Sequence, residues 1–199
     1  MQSRLEVTAI FVVITGGPSV GKTTIISLLK ERGYAVVTEQ ATQIIKEGDF
    51  LPWVDRDSFQ KEVLRRQLEV ETEYINADRP VFLDRGLFDG EAYYICDGLP
   101  IPPIFSSMPA SRYAMALLIE ELPFFDNNGV RFEDLDFTRR FTPVVELCYT
   151  SRNVKVARVP AKPPEERVDF VVQLVHNRIE ELRAEQTPIA APAMALAIV

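Results

Sequence analysis

The sequence predicts an α/β fold built on a doubly wound parallel sheet. Two observations carry that expectation. Apolar runs of strand length alternate with helical patterns along most of the 199 residues, the arrangement that generates parallel sheets. One such run, 9–14, leads straight into Gly16-Gly17-Pro18-Ser19-Val20-Gly21-Lys22-Thr23, a G-x-x-x-x-G-K-[ST] loop that opens a helical segment.

Each element has its own signal. The first strand is expected over 8–15 and the first helix over 22–32, with Gly33 at its C′ position. Residues 34–38 read as a second strand ending at Glu39, and 42–47 as a short helix closed by Gly48. A long helix over 57–75 carries Phe59, Val63, Val70 and Tyr74 as an apolar stripe. Residues 80–83 are a buried strand ending at Asp84. Residues 87–96 form a helix stopped by Gly98-Leu99-Pro100, and 113–119 a further strand. The helical pattern over 132–152 contains Pro143, and Thr142 suits an N-cap. Two shorter helices or a kink are therefore expected there. A last strand over 154–159 precedes a helix from Pro164. Val168, Val171, Val172, Val175, Ile179 and Leu182 share one face of it, and Glu165 and Glu166 favour its first turn.

A chain of this length fits one domain, taken as 1–184, with a lid segment at about 123–142. The apolar, Ala-rich tail over 185–199 is left to docking, self-association or disorder. A net charge of −7 argues against a nucleic-acid surface. Cys96 and Cys148 stand apart without a C-x-x-C pattern, so they read as reduced thiols of a cytoplasmic protein. His176 is the single histidine and falls on a helical surface. No segment has the length and apolarity of a membrane span.

Gly16, Glu39 and Asp84 each follow a strand directly, so a parallel sheet gathers them at one edge. In the glycine-rich loop, residues 16–24 (Gly16, Gly17, Pro18, Ser19, Val20, Gly21, Lys22, Thr23 and Thr24) turn backbone N–H groups and a helix N-terminus toward a polyphosphate. Lys22 supplies charge for the β- and γ-phosphates, and Thr23 a hydroxyl for Mg²⁺. Asp84, after three apolar strand residues, suits the same metal, or a helix N-cap. Arg85 stands where hydrolytic ATPases carry a second acid, which favours holding a substrate or transferring phosphate. Glu39 suits a general base, with a surface or capping role as the alternative. Arg139 and Arg140 follow the 123–129 loop and suit a lid that meets the transferring phosphate; a solvated charged face is the alternative. Trp53 suits the acceptor pocket or plain packing. No N-K-x-D guanine motif is present, so ATP is preferred and GTP is the alternative.

Glu39-x-Ala41, Leu51-Pro52-Trp53, Asp84-Arg85-Gly86, Gly98-Leu99-Pro100, Arg139-Arg140 and Pro164-x-Glu166-Arg167-Val168 follow the loop in turn. Together they resemble the NadR-type AAA domain family of P-loop proteins, over about 10–172. The Asp84-Arg85 pair is also similar to the acid–Arg pair of deoxynucleoside and thymidylate kinases. The resemblance implies a three-layer α/β/α sandwich with strand order 2-3-1-4-5. It implies that Val159, Pro160 and Ala161 touch adenine and that Arg85 contacts acceptor and transferred phosphates. The expected activity is Mg²⁺-dependent transfer of the ATP γ-phosphate to a small, nucleoside-like acceptor. The alternatives are a nucleotide-dependent switch or scaffold whose lid controls a partner or lipid contact, and a plain NTPase. Self-association through the tail is a further expectation.

Overall fold

A computed structural model describes residues 9–121 and 135–186. The first part of the expected lid, 123–134, and the tail beyond 186 lie outside the described residues. Five strands form one sheet: β1 (Phe11–Thr15), β2 (Ala35–Val37), β3 (Val81–Asp84), β4 (Tyr113–Ile119) and β5 (Val156–Val159). Their order is β2-β3-β1-β4-β5, all pairs parallel, as the resemblance implies.

Seven helices flank the sheet among the described residues: α1 (Lys22–Glu31), α2 (Gln40–Glu47), α3 (Arg56–Glu73), α4 (Leu87–Cys96), α5 (Ile104–Ser107), α6 (Leu135–Thr150) and α7 (Pro164–Gln186). Strand side chains alternate between two cores although both faces are buried. Phe11 and Val13 enter one core with α4 and α6 residues such as Phe88 and Phe141. Val12 and Ile14 enter the other, with Ile25 and Leu29 of α1 and Val168 and Val171 of α7. The apolar stripe expected on α7 is thus the face that packs. No helix of the described residues is long and apolar enough to cross a membrane.

One irregularity aims a functional side chain. The β1–β4 register slips between Phe11 and Val12, so Phe11 pairs with Tyr113 but Val12 with Met115. This bulge at Ala114 turns Tyr113 into the α3/α4/α6 core, while Met115 joins the α1/α7 side. The Ala114 carbonyl accepts from Arg178 Nε at 3.1 Å.

Three expectations need correction. The 132–152 pattern is not broken at Pro143: α6 is one helix with the proline inside it. Pro143 lies on the exposed side, and Phe141, Val145 and Tyr149 are buried on the other. Tertiary packing of that face outweighs one missing hydrogen bond, and Thr142 donates back to the Thr138 carbonyl at 2.9 Å instead of capping a new helix. On α3 the most buried positions include Gln60, Gln67 and Glu71, not Val63 and Val70. The short α5 and the 3-10 turn at Ala110–Arg112 carry no strong periodicity and have no place in the sequence expectation.

Candidate active site

The carboxyl ends of the strands bring together the residues expected to share an edge. After β1 the loop turns through Gly16 and Gly21, and Ser19 adopts a left-handed φ of 61°. A side chain at Gly16 would put its Cβ 2.8 Å from the Ile119 carbonyl, and one at Gly17 would put it 2.2 Å from Thr138 Cγ2. Both positions therefore require glycine, and the second because the first turn of α6 is seated on the loop. Lys22 is only 3% exposed. Its Nζ donates to the Gly16 carbonyl at 3.2 Å and the Gly17 carbonyl at 2.5 Å. The ammonium thus stands at the centre of the loop, on the chain's own acceptors.

Thr23 Oγ1 donates to Asp84 Oδ2 at 3.4 Å. Among the described residues no group of three or more His, Cys, Asp and Glu could hold a metal by itself. A hydroxyl and a carboxylate side by side are hard oxygen donors, and a set this small fits a Mg²⁺ whose shell is completed by phosphate and water.

Glu39 and Arg85 meet although 46 residues separate them. Arg85 Nε donates to Glu39 Oε1 at 2.6 Å. Glu39 Oε2 accepts from Thr42 Oγ1 at 2.5 Å, so Glu39 is fixed on both oxygens at the start of α2. Arg85 Nη1 reaches the Gly16 carbonyl at 3.2 Å and Asp89 Oδ1 at 3.3 Å. Its guanidinium also lies over Tyr93 (5.1 Å) and Phe141 (5.3 Å). One side chain therefore links the loop, the candidate base and α6.

Arg85 itself has a φ of 71°, a conformation costly for a residue with a Cβ. The turn around it is held by buried polar groups. Arg85 N–H donates to the Ile14 carbonyl at 3.0 Å. Gln67 Nε2 donates to the Arg85 carbonyl at 3.2 Å and to Glu71 Oε1 at 2.8 Å. Leu87 N–H donates to the Tyr113 hydroxyl at 2.7 Å, and that hydroxyl donates to Glu71. Glu71 also accepts from Arg112. Asp89 accepts from Gly86 N–H (3.0 Å), Thr15 Oγ1 (2.5 Å) and Tyr149 (2.7 Å). Burial first, and then the neighbouring Glu71 and Asp89 charges, push the Tyr113 and Tyr149 phenols well above their ordinary range. Both remain protonated donors.

Sequence reasoning missed this support. Asp89 carries a trace of signal: it stands three residues after Gly86, where an N3 acid reaches back to the N-cap amide. Gln67, Glu71, Tyr113 and Thr138 carry none, because polar residues on a helix or at a strand end look solvated. Asp89→Ala is expected to destabilise the fold by about 3 kcal/mol, since it strands the Tyr149 hydroxyl, Thr15 and part of Arg85. Urea unfolding measures this. A loss under about 1 kcal/mol would show that the network is not needed for the fold.

The remaining site expectations fall further out. Trp53 is 52% exposed in the turn before α3. Arg139 is exposed and sits 3.8 Å from Asp136, and Arg140 lies over the Phe137 ring at 5.8 Å. The residue of that helix packed on the loop is Thr138 between them and Phe137. At the other end of the loop, the Glu120 N–H donates to the Val159 carbonyl at 3.0 Å, which sets Val159 and Pro160 at the same sheet edge. Thr24 and Ala161 are exposed.

Comparisons with known proteins agree with this architecture. No curated protein matches the sequence. Among solved structures, NadR in complex with NR superposes with a TM-score of 0.69 at 17% identity, over 92% of this chain and 53% of that one. This chain thus spans about half of NadR. A deoxyadenosine kinase from M. mycoides with products dCMP and dCDP superposes with a TM-score of 0.58 at 12% identity, over 84% of this chain and 100% of that one. Shikimate kinase from Aquifex aeolicus gives 0.53 at 18% identity, over 86% and 99%. At these identities the likeness concerns the fold, which is that of the P-loop kinases. A family model described as an AAA domain matches residues 11–167. That stretch runs from the first strand through the loop, Glu39 and Arg85 to the start of the last helix, and on its strength the chain belongs to this AAA domain family.

Proposed function

We propose that the protein is a Mg²⁺-dependent ATP-binding kinase that phosphorylates a hydroxyl of a small, nucleoside-like acceptor. The observation that carries this reading is the Glu39–Arg85 pair, anchored to the Gly16 carbonyl at the rim of the loop. A hydrolytic engine would want a water-activating acid beside Asp84. Here that place is filled by a cation joined to a carboxylate on the far side. The solved relatives point the same way: one is described with NR bound and another with dCMP, while shikimate kinase extends the acceptor class beyond nucleosides.

In this reading residues 16–24 cradle the triphosphate, and Lys22 moves from its loop carbonyls to the β- and γ-phosphate oxygens. Thr23 and Asp84 would hold Mg²⁺, which when bound would offset the charge of the phosphates. Val159, Pro160 and Ala161 border the base, and ATP is preferred because no guanine-reading motif is present. Trp53 borders the acceptor. Arg85 orients the acceptor beside Glu39. The acceptor oxygen bonds to the γ-phosphorus as the bond to ADP breaks, and its proton passes to Glu39. Arg139 and Arg140, carried on the lid side of α6, meet charge on the transferring group. The free thiols of Cys96 and Cys148 fit a cytoplasmic setting.

The test is ADP release from Mg·ATP against a panel of nucleosides and other small hydroxyl acceptors. One acceptor raising the rate well above background supports a kinase; none doing so removes it. A nucleotide-controlled switch is the second reading, favoured by the seating of Thr138 on Gly17, through which a nucleotide in the loop would move α6.

The metal assignment has its own test. Asp84→Asn is expected to weaken Mg·ATP by about 10-fold or more while leaving metal-free ATP nearly unchanged, because the carboxylate acts through the ion. Calorimetric titration with Mg²⁺ and with chelator separates the two. Wild-type affinities in both conditions would take Asp84 out of metal binding; the helix N-cap that the sequence also allows is not its role either, because Gly86 caps α4.

A further inference from the structure

We infer that Arg167 is a positioning residue that locks the base-side turn at 159–161 to the P-loop, so that base and phosphates of one nucleotide are held in a single register. Arg167 is 2% exposed in the first turns of α7. Its guanidinium donates to three main-chain carbonyls in three different segments. Nε reaches Pro160 at 2.9 Å, Nη1 reaches Val20 at 2.7 Å and Nη2 reaches Glu120 at 2.5 Å. These are the turn after β5, the crest of the P-loop and the end of β4. Val20 lies between Ser19 (φ 61°) and Gly21 (φ 93°), so the bond grips the loop at its tightest bend. The helix gives the fork a rigid base: Arg167 N–H donates to the Pro163 carbonyl at 3.0 Å, and the next residue, Val168, is fully buried.

The choice of arginine follows from geometry. A planar guanidinium presents donors along three directions at once, whereas an ammonium is one point on a flexible stem. Carbonyls of separate segments are thereby fixed relative to one another and not merely neutralised. Arg167 is given no contact with nucleotide or acceptor itself; it acts through Val20 and Pro160, the residues of the two loops that it holds. The inference rests on the proposal that the P-loop holds the triphosphate and 159–161 the base.

Its test compares Mg·ATP with Mg·tripolyphosphate, which has the phosphates and no base, on wild type and Arg167→Lys. Calorimetry gives the four affinities. Tripolyphosphate is expected to bind the variant within about 2-fold of wild type, while ATP weakens by about 10-fold, the worth of roughly one charge-assisted hydrogen bond. A purely structural role would instead weaken both ligands by the same factor, and that result overturns the inference. So does an unchanged ATP-to-tripolyphosphate ratio. Wild type that binds both equally removes the base turn and the inference together; wild type that prefers ATP, with a variant that keeps the preference, removes the inference alone. Should Arg167→Lys fail to fold, hydrogen exchange on wild type decides. Tripolyphosphate must then slow exchange at Ala161 and Lys162 as well as in 16–23, and unchanged exchange at those two amides overturns the coupling.

Discussion

Replacing Lys22 by Ala is expected to weaken Mg·ATP by at least about 100-fold, because charge-assisted bonds to two phosphates are lost together. The sequence assigns Lys22 a charge role toward the phosphates. The structure adds a packing role: Lys22 is 3% exposed, and its Nζ holds the Gly16 and Gly17 carbonyls. The substitution therefore also loosens the loop, at a cost of about 1–3 kcal/mol of stability. The two effects are separable. Lys22→Met keeps most of the stem and its burial but brings no charge. If binding depends on charge, Met and Ala lose ATP affinity alike, and only Ala shows the larger drop in melting temperature. Calorimetric titration beside thermal unfolding reads both. ATP affinity unchanged in either variant would sink the assignment of the loop.

What the sequence made legible, and what it did not, follows from the physics of each signal. Buried parallel strands read as unbroken apolar runs, so β1, β3 and β4 and the residues that follow them were placed correctly. Gly16, Glu39 and Asp84 do share one edge, because a parallel sheet leaves no other geometry. The strand order came with the family resemblance, and the register of the pairs was not legible at all. The slip at Ala114 is one residue near the start of an apolar run, yet it decides that Tyr113 faces α3. The α3 face failed for the opposite reason. Hydrophobic periodicity finds the side of a helix that meets an apolar core, and here the side that packs most tightly carries Gln67 and Glu71. They are buried because a left-handed Arg85 needs its carbonyl and its neighbours held from below. Polar residues at buried positions look the same in sequence as solvated ones. Pro143 misled through a rule that is local: a proline costs a helix one bond, but on the exposed side water replaces it while the buried aromatic face stays packed. α2 starts two residues earlier and β5 two residues later than expected, the ordinary uncertainty of such boundaries.

Glu39→Gln is expected to lower phosphoryl transfer by roughly 10²–10⁴-fold, the usual worth of a general base. Nucleotide affinity should stay within a few-fold of wild type, since no role in holding ATP is proposed for Glu39. The geometry makes the substitution informative. Glu39 accepts from Arg85 through one oxygen and from Thr42 through the other, so the carboxylate is held in place where the acceptor is proposed to meet it. Glutamine preserves shape and one acceptor but takes no proton. It also removes the charge that faces Arg85, so the acceptor's KM should rise as Arg85 shifts toward Asp89, only 3.3 Å away. A loss confined to KM would mean that Glu39 merely sets Arg85; a loss in kcat at saturating acceptor marks proton removal. A loose transition state draws less on the base, which places the result toward the lower end of the range. The measurement is ADP release across the acceptor panel, wild type beside variant, with ATP affinity from calorimetry. Wild-type kcat in the variant would take Glu39 out of the chemistry. If wild type itself responds to no acceptor while binding ATP tightly, Glu39 and Arg85 are better understood as a latch between α2 and the P-loop, and the nucleotide switch replaces the kinase.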